Sequence, residues 1–357
     1  MKICTVVGAR PQFIKAAQVS HSLHADGQRE VLIHTGQHYD YNMSEIFFRQ
    51  LQLHEPDYNL GVTANSHGAQ TGQMLIKIEE TLLAEKPDMV LVYGDTNSTL
   101  AGALAAVKLH IPVGHIEAGE RSYNRAMPEE HNRVLTDHAS ELLFCATRQA
   151  TQNLAAENIT QGVFYVGDVL YDAWLLSAPL AARTGILDQL SLEPQGYYIA
   201  TIHRPANTDV PQHLAGILEA LANLAAPVVF PLHPRTRKHF EQYALKPAAN
   251  VMLIDPVGYL EMLALTQNSR AVLTDSGGVQ REAYFSQVPC VTIRSEAEFV
   301  ETVTSGWNTL AEPTCAAIMS ALAKPSPPGP PPPLFGDGAA AASIAEKLKG
   351  WRARQQA

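Results

Sequence analysis

Short apolar runs alternate along the chain with longer amphipathic stretches, beginning at Ile3-Cys4-Thr5-Val6-Val7. Alternation of that kind predicts β-α-β units and a parallel sheet, because a helix must carry the chain back before the next buried strand. Strands are expected near 2–7, 30–35, 89–93, 112–116, 141–145 and 163–166, with helices between them. The pattern breaks at Arg183-Thr184-Gly185 and Pro194-Gln195-Gly196, and a second series then places strands near 197–202, 227–232, 251–254, 271–274 and 289–293. The expectation is an α/β chain of two Rossmann-like domains, 1–180 and 181–335, followed by a closing helical segment, 336–357. Lys324 to Pro333 reads as a surface loop, since proline fixes φ and removes a donor. Met43, Phe47, Phe48 and Leu51 share helical spacing and are assigned to the core.

A length of 357 residues suits two domains. The balance of 46% hydrophobic and 17% charged residues is that of a soluble globular protein. A net charge of -9 argues against a broad nucleic-acid binder, which needs a basic face to displace counterions. No apolar stretch suffices to span a bilayer. The start of the chain lacks the layout of a signal peptide, so the expectation is a cytoplasmic protein without membrane insertion. Cys4, Cys145, Cys290 and Cys315 lack paired spacing and read as free thiols, three of them in or beside strands, and no metal site is expected.

In parallel α/β sheets, ligands sit beyond the carboxyl ends of strands. The first expected strand is followed by Gly8-Ala9-Arg10-Pro11-Gln12-Phe13-Ile14-Lys15, which offers Arg10 and Lys15 to an anion near a helix start. This is not the G-x-G-x-x-G fingerprint, which argues against a dehydrogenase. The next strand end leads into Thr35-Gly36-Gln37-His38, where Gln37 and His38 are candidates to line a cleft. Gly94-Asp95-Thr96-Asn97-Ser98 and His115-Ile116-Glu117-Ala118-Gly119 put two carboxylates, Asp95 and Glu117, at neighbouring strand ends. Pro128-Glu129-Glu130-His131-Asn132-Arg133 opens a helix, and by position alone its acids read as ordinary helix N-terminal charge. In the second series, His203-Arg204, His233-Pro234-Arg235 and Thr274-Asp275-Ser276-Gly277-Gly278 converge on one sheet edge, the last forming a diphosphate cradle at a helix start.

Together these motifs resemble the non-hydrolysing UDP-N-acetylglucosamine 2-epimerase family: G-A-R-P-Q-F-I-K, T-G-Q-H, G-D-T-N-S, H-I-E-A-G, P-E-E-x-N-R, T-x-H-R and T-D-S-G-G-V-Q-R-E-A, in order over residues 1 to about 310. The resemblance implies a GT-B-like arrangement with a central cleft, the second domain holding the nucleotide of a UDP-linked 2-acetamido sugar. It implies elimination of UDP across C1–C2 and re-addition with inverted C2, without a cofactor. On that basis Asp95, Glu117, Glu129 and His203 form the catalytic set. Arg10, Lys15, Gln37, His38, Arg133, Ser276, Gly277, Gly278 and Glu282 bind substrate, Glu282 as ribose-hydroxyl acceptor. A homodimer making precursors of bacterial surface polysaccharide, such as lipopolysaccharide, follows from the same resemblance. A GT-B glycosyltransferase using a UDP-sugar is the alternative.

Two departures matter. Many family members read H-R-x-E-N where this chain has His203-Arg204-Pro205-Ala206-Asn207, so an acid is lost at Ala206. The stretch Glu120 to Met127 is shorter than in the common UDP-N-acetylglucosamine enzymes, which puts a second, allosteric nucleotide-sugar site in doubt. R-S-Y-N-R-A-M-P-E-E looks closer to the branch acting on UDP-2,3-diacetamido-2,3-dideoxyglucuronic acid, where Arg121 and Arg125 are expected to pair with a uronate. The sugar substituents at C3 and C6 stay open at this level.

Overall fold

A computed structural model of the chain describes residues 1–37, 50–51, 53–64, 66–325 and 327–356. His38, Met43, Phe47 and Phe48 lie outside the described residues, whereas Leu51 is buried. The chain divides into two compact units, Met1–Leu175 with Pro333–Ala357, and Leu176–Pro332. The first division falls inside the helix Val169–Ala181 and the second inside the proline-rich loop.

The first unit is built on a parallel sheet of β1 (Lys2–Val7), β2 (Arg29–His34), β3 (Tyr58–Asn59), β4 (Met89–Tyr93), β5 (Val113–Ile116), β6 (Leu142–Cys145) and β7 (Val163–Tyr165). Their order is β3-β2-β1-β4-β5-β6-β7. The second unit repeats the plan with β8 (Tyr198–Thr201), β9 (Val228–Pro231), β10 (Val251–Ile254), β11 (Ala271–Thr274), β12 (Cys290–Ile293) and β13 (Asn308–Ala311), in the order β10-β9-β8-β11-β12-β13. Each sheet reverses its winding once, between β1 and β4 and between β8 and β11, and a crevice opens beyond the strand ends at such a reversal.

Burial explains the runs. β4 is buried throughout as Met-Val-Leu-Val-Tyr, the unbroken apolar signature of a strand covered on both faces. Helix starts follow side-chain capping: Thr96 accepts from the Thr99 N–H ahead of the helix Asn97–Lys108, and Ser276 from Val279 ahead of Gly277–Phe285. β3 and β13 were not expected from the pattern, and a short helix, Ile186–Gln189, lies in the break between the two series. Cys4, Cys145 and Cys290 are buried free thiols, and Cys315 is half-buried. Burial pushes the Cys4 and Cys290 thiols up to about 12, leaving them protonated. Among the described residues no helix is long and apolar enough to cross a membrane.

Candidate active site

In the first unit the turn from β1 into the helix Arg10–Ala25 is latched by Gln12. Its Oε1 accepts from the Gly8 and Ala9 N–H groups (2.8 and 3.0 Å), and its Nε2 donates to the Tyr93 carbonyl and to Thr99 Oγ1 (2.7 and 3.0 Å). One buried amide thereby ties the end of β1 to the end of β4. Arg10 opens that helix half-buried, while Lys15, one turn later, is buried and pairs with Glu117 Oε2.

Glu117 follows β5 with φ of +70°, in the left-handed region that a non-glycine residue occupies only when its surroundings hold it there. The N–H groups of Glu117 and Ala118 both donate to the Phe144 carbonyl (3.0 and 3.1 Å) and supply that hold. Gly94, at φ +62°, leaves room on the neighbouring strand end, since a Cβ there would stand 3.3 Å from Glu117 Oε2. Behind the site, buried His115 bridges Asp137 Oδ1 and the Gly94 carbonyl, both at 2.7 Å. Burial alone would raise the Asp137 pKa, but His115 and then Arg121 turn the shift downward.

Asp95 follows β4 with its side chain one-third exposed and pairs with Arg133 Nη2, from the helix Pro128–Ala139. Asn132, on the same helix, donates to the Asp95 carbonyl at 3.0 Å. The acids that open the helix part ways. Glu130 is buried and accepts from the Ser122 and Tyr123 N–H groups (2.9 Å each), which makes it the anchor of the preceding loop. Glu129 is half-buried and has no hydrogen-bond or ion-pair partner among the described residues. Gln37 reaches the same strand ends, its Oε1 accepting from Ser98 Oγ at 2.6 Å.

The expectation for Arg121 needs correction. Its side chain is 1% exposed and forks between Asp137 (2.6 Å) and Glu157 (2.7 Å), so it is spent on the framework and not offered to a uronate. Arg125 is exposed.

In the second unit Asp275, after β11, is fully buried. Its carboxylate accepts from the His203 N–H (3.0 Å), the Arg204 N–H (2.9 Å) and Asn207 Nδ2 (3.0 Å), and faces His203 Nδ1 at 3.0 Å. Burial would raise its pKa, but the charge and hydrogen bond of His203, followed by the Arg204 N–H and Asn207, bring it down to about 2. With Nδ1 facing Asp275, the outward nitrogen of the partly exposed His203 ring is Nε2. Ser276 caps the helix that follows. Gly277 and Gly278 form its first turn, where N–H groups lack intrahelical partners and suit an anion. A Cβ on Gly278 would meet nothing closer than Ser276 Oγ at 3.9 Å. Glu282 is buried one turn further along.

Each unit thus collects its candidates at its own winding reversal: Arg10, Lys15, Gln37, Asp95, Glu117, Glu129 and Arg133 in the first, His203, Ser276, Gly277, Gly278 and Glu282 in the second. Sequence reasoning quoted Gln12 and Asp275 without a role and did not name Asp137. Only Asp275 carried a usable signal, an acid at a strand end that no solvent-facing pattern requires.

An α/β chain with carboxylates at one reversal and an anion cradle at another has the parts of an enzyme acting on a nucleotide sugar. The family model for UDP-N-acetylglucosamine 2-epimerase matches residues 21–349, and the chain belongs to that family. It is 54% identical over 318 residues to the UDP-2,3-diacetamido-2,3-dideoxy-D-glucuronate 2-epimerase of Pseudomonas aeruginosa, covering 87% of this chain and 88% of that one. It is 51% identical over 356 residues to a UDP-N-acetylglucosamine 2-epimerase homolog of Methanococcus maripaludis, covering 98% and 99%. The crystal structure of Methanocaldococcus jannaschii UDP-GlcNAc 2-epimerase in complex with UDP-GlcNAc and UDP matches with a TM-score of 0.92 at 41% identity, over 98% of this chain and all of that one. The fold is GT-B-like, and the protein is an isomerase, a non-hydrolysing 2-epimerase of UDP-linked sugars.

Proposed function

We propose that this enzyme inverts C2 of a UDP-linked 2,3-diacetamido-2,3-dideoxyglucuronate, interconverting its gluco and manno forms, with UDP-N-acetylglucosamine as the competing substrate. The sugar assignment is supported by the 54% identity to the diacetamido-glucuronate enzyme, against 44% over 336 residues to the UDP-N-acetylglucosamine 2-epimerase of Methanococcus maripaludis. The observation that carries the chemistry is the pair of carboxylates at the ends of β4 and β5, each set against a cation.

A carboxylate removes the C2 proton. The electron pair forms the C1–C2 double bond, and the C1–O bond breaks toward the β-phosphate of departing UDP. Re-addition of UDP at C1, with a proton delivered to C2 from the opposite face, completes the inversion. Asp95, Glu117 and Glu129 are the acid–base set, and His203 donates through Nε2 to the leaving diphosphate. Arg10, Lys15, Gln37, His38 and Arg133, with Ser276, Gly277, Gly278 and Glu282, hold the substrate, Lys15 acting through Glu117. The reading takes the enzyme to be a cytoplasmic homodimer without membrane insertion that serves surface polysaccharide synthesis, on the strength of the resemblance.

The test is incubation in heavy water with each UDP-sugar separately, following C2 by proton NMR. Deuterium at C2 with faster turnover of the diacetamido uronate is expected. Preference for UDP-N-acetylglucosamine would overturn the sugar assignment, and absence of exchange from both would overturn the chemistry.

A further inference from the structure

Near the amino-terminal ends of β1 and β2, away from the residues assigned to catalysis, three side chains distant in sequence come together. Glu30, His24 and His54 place one ligand atom each within 4.8 Å of one another. Their spacing matches no metal-binding motif, and the sequence reading expected no metal site.

The Glu30 side chain is completely buried, and among the described residues no lysine or arginine pairs with it. It accepts instead from Thr5 Oγ1 and Ser20 Oγ. Burial alone would raise its pKa, but the hydrogen bonds of His54, Ser20 and Thr5 outweigh burial and lower it, which keeps the carboxylate ionised. His54 Nδ1 lies 2.8 Å from the Glu55 carbonyl, which only accepts, so Nδ1 carries a proton. Nε2 then faces Glu30 Oε2 at 3.4 Å. In a neutral ring two lone pairs would oppose each other there, and either a proton on Nε2 or a cation between the two atoms removes the conflict. His24, exposed in the last turn of the helix Arg10–Ala25, sets its ring 5.5 Å from that of His54.

We propose that His24, Glu30 and His54 bind a divalent transition-metal cation of the zinc class. Two imidazoles and a carboxylate are the donor set of such ions. The supporting contacts are already present: the Glu55 carbonyl orients the His54 ring, and the two hydroxyls orient the carboxylate. Tetrahedral bonds of about 2.0 Å require ligand atoms about 3.3 Å apart, a distance that rotation of the exposed His24 side chain supplies, with water as fourth ligand. Metal binding displaces the proton of His54, whose pKa is raised by Glu30 first and further by the Glu55 carbonyl and by Asp57. A cation seated between Nε2 and Glu30 takes the place of a proton there, so binding releases a proton.

The experiment is titration of the tag-free full chain with Co²⁺, followed by visible d–d absorption, and with Zn²⁺ by calorimetry in two buffers of different ionisation enthalpy. A single equivalent bound with tetrahedral Co²⁺ bands and proton release is expected. Ser20→Ala, which removes a hydroxyl that donates to Glu30, weakens binding about tenfold to a hundredfold, and His24→Gln or His54→Gln weakens it further. His24 is exposed, so His24→Gln keeps the fold and the comparison stands even if His54→Gln melts early. No tetrahedral spectrum from the wild type, or unchanged affinity in His24→Gln, would overturn the proposal.

Discussion

The two units place an acid at the same topological position and wire it in opposite ways. Beyond β4 and β5 of the first sheet, Glu117 is presented on strained backbone and Asp95 with a side chain one-third exposed, each paired with a long cationic side chain. Beyond β11 of the second sheet, Asp275 is sunk out of solvent and ringed by two backbone N–H groups, Asn207 and His203. The winding reversal puts a carboxylate beside the crevice in both cases. Under the proposed mechanism, what surrounds it decides whether it acts on substrate or holds the loop that does.

The largest expected effect separates those roles. Glu117→Gln keeps the shape beside Lys15 but removes a member of the proposed acid–base set, so C2 exchange should fall by about 10²–10⁴-fold, a loss far larger than the drop in melting temperature that follows from parting the buried pair with Lys15 can explain. A loss of less than tenfold would remove Glu117 from the acid–base set. Asp275→Ala should do the reverse in kind. It strands the buried Asn207 amide, two part-buried N–H groups and a histidine, costing about 3 kcal/mol in stability by urea unfolding. If that variant unfolds like the wild type, the view of Asp275 as scaffold fails.

The sequence exposed this contrast only in part. Strand ends were legible because four- to six-residue apolar stretches such as Met89–Tyr93 stop abruptly at glycine or a polar residue. β13, Asn308-Thr-Leu-Ala, escaped because half its residues are polar and it lies at a sheet edge. The partners of the acids were not legible at all. Lys15 and Glu117 are 102 positions apart, Arg133 and Asp95 38 apart, and no local pattern records which cation meets which carboxylate. Arg121 shows the cost of that blindness: an arginine that reads as a ligand group is wholly consumed by Asp137 and Glu157.

A smaller effect sharpens the comparison through pH. The Asp275 pKa is lowered to about 2 from an ordinary 3.8, so between those values the unfolded chain binds the extra proton. Its contribution, about 2 kcal/mol, is complete above pH 4 or so and is lost as pH falls toward 2. Acid titration of stability should therefore be shallower over that window in Asp275→Asn than in the wild type. Equal slopes would mean that the carboxylate is not held ionised by its ring of donors.

The smallest expected effect concerns two glycines, one at each winding reversal. Gly94 adopts φ of +62°, and a Cβ there would crowd Glu117 Oε2 at 3.3 Å, so Gly94→Ala should cost about 1 kcal/mol in backbone strain and reduce turnover by shifting the Glu117–Lys15 pair. Gly278 lies in a helical turn with open space around its Cβ position, so Gly278→Ala should leave the melting temperature unchanged or slightly higher. If its backbone N–H receives the diphosphate, the added methyl instead stands in the path of the ligand, raising KM for the UDP-sugar while kcat changes little. Measuring both constants and both melting curves asks whether glycine is required by the fold in one unit and by the ligand in the other. An unchanged KM in Gly278→Ala would move the diphosphate off that turn.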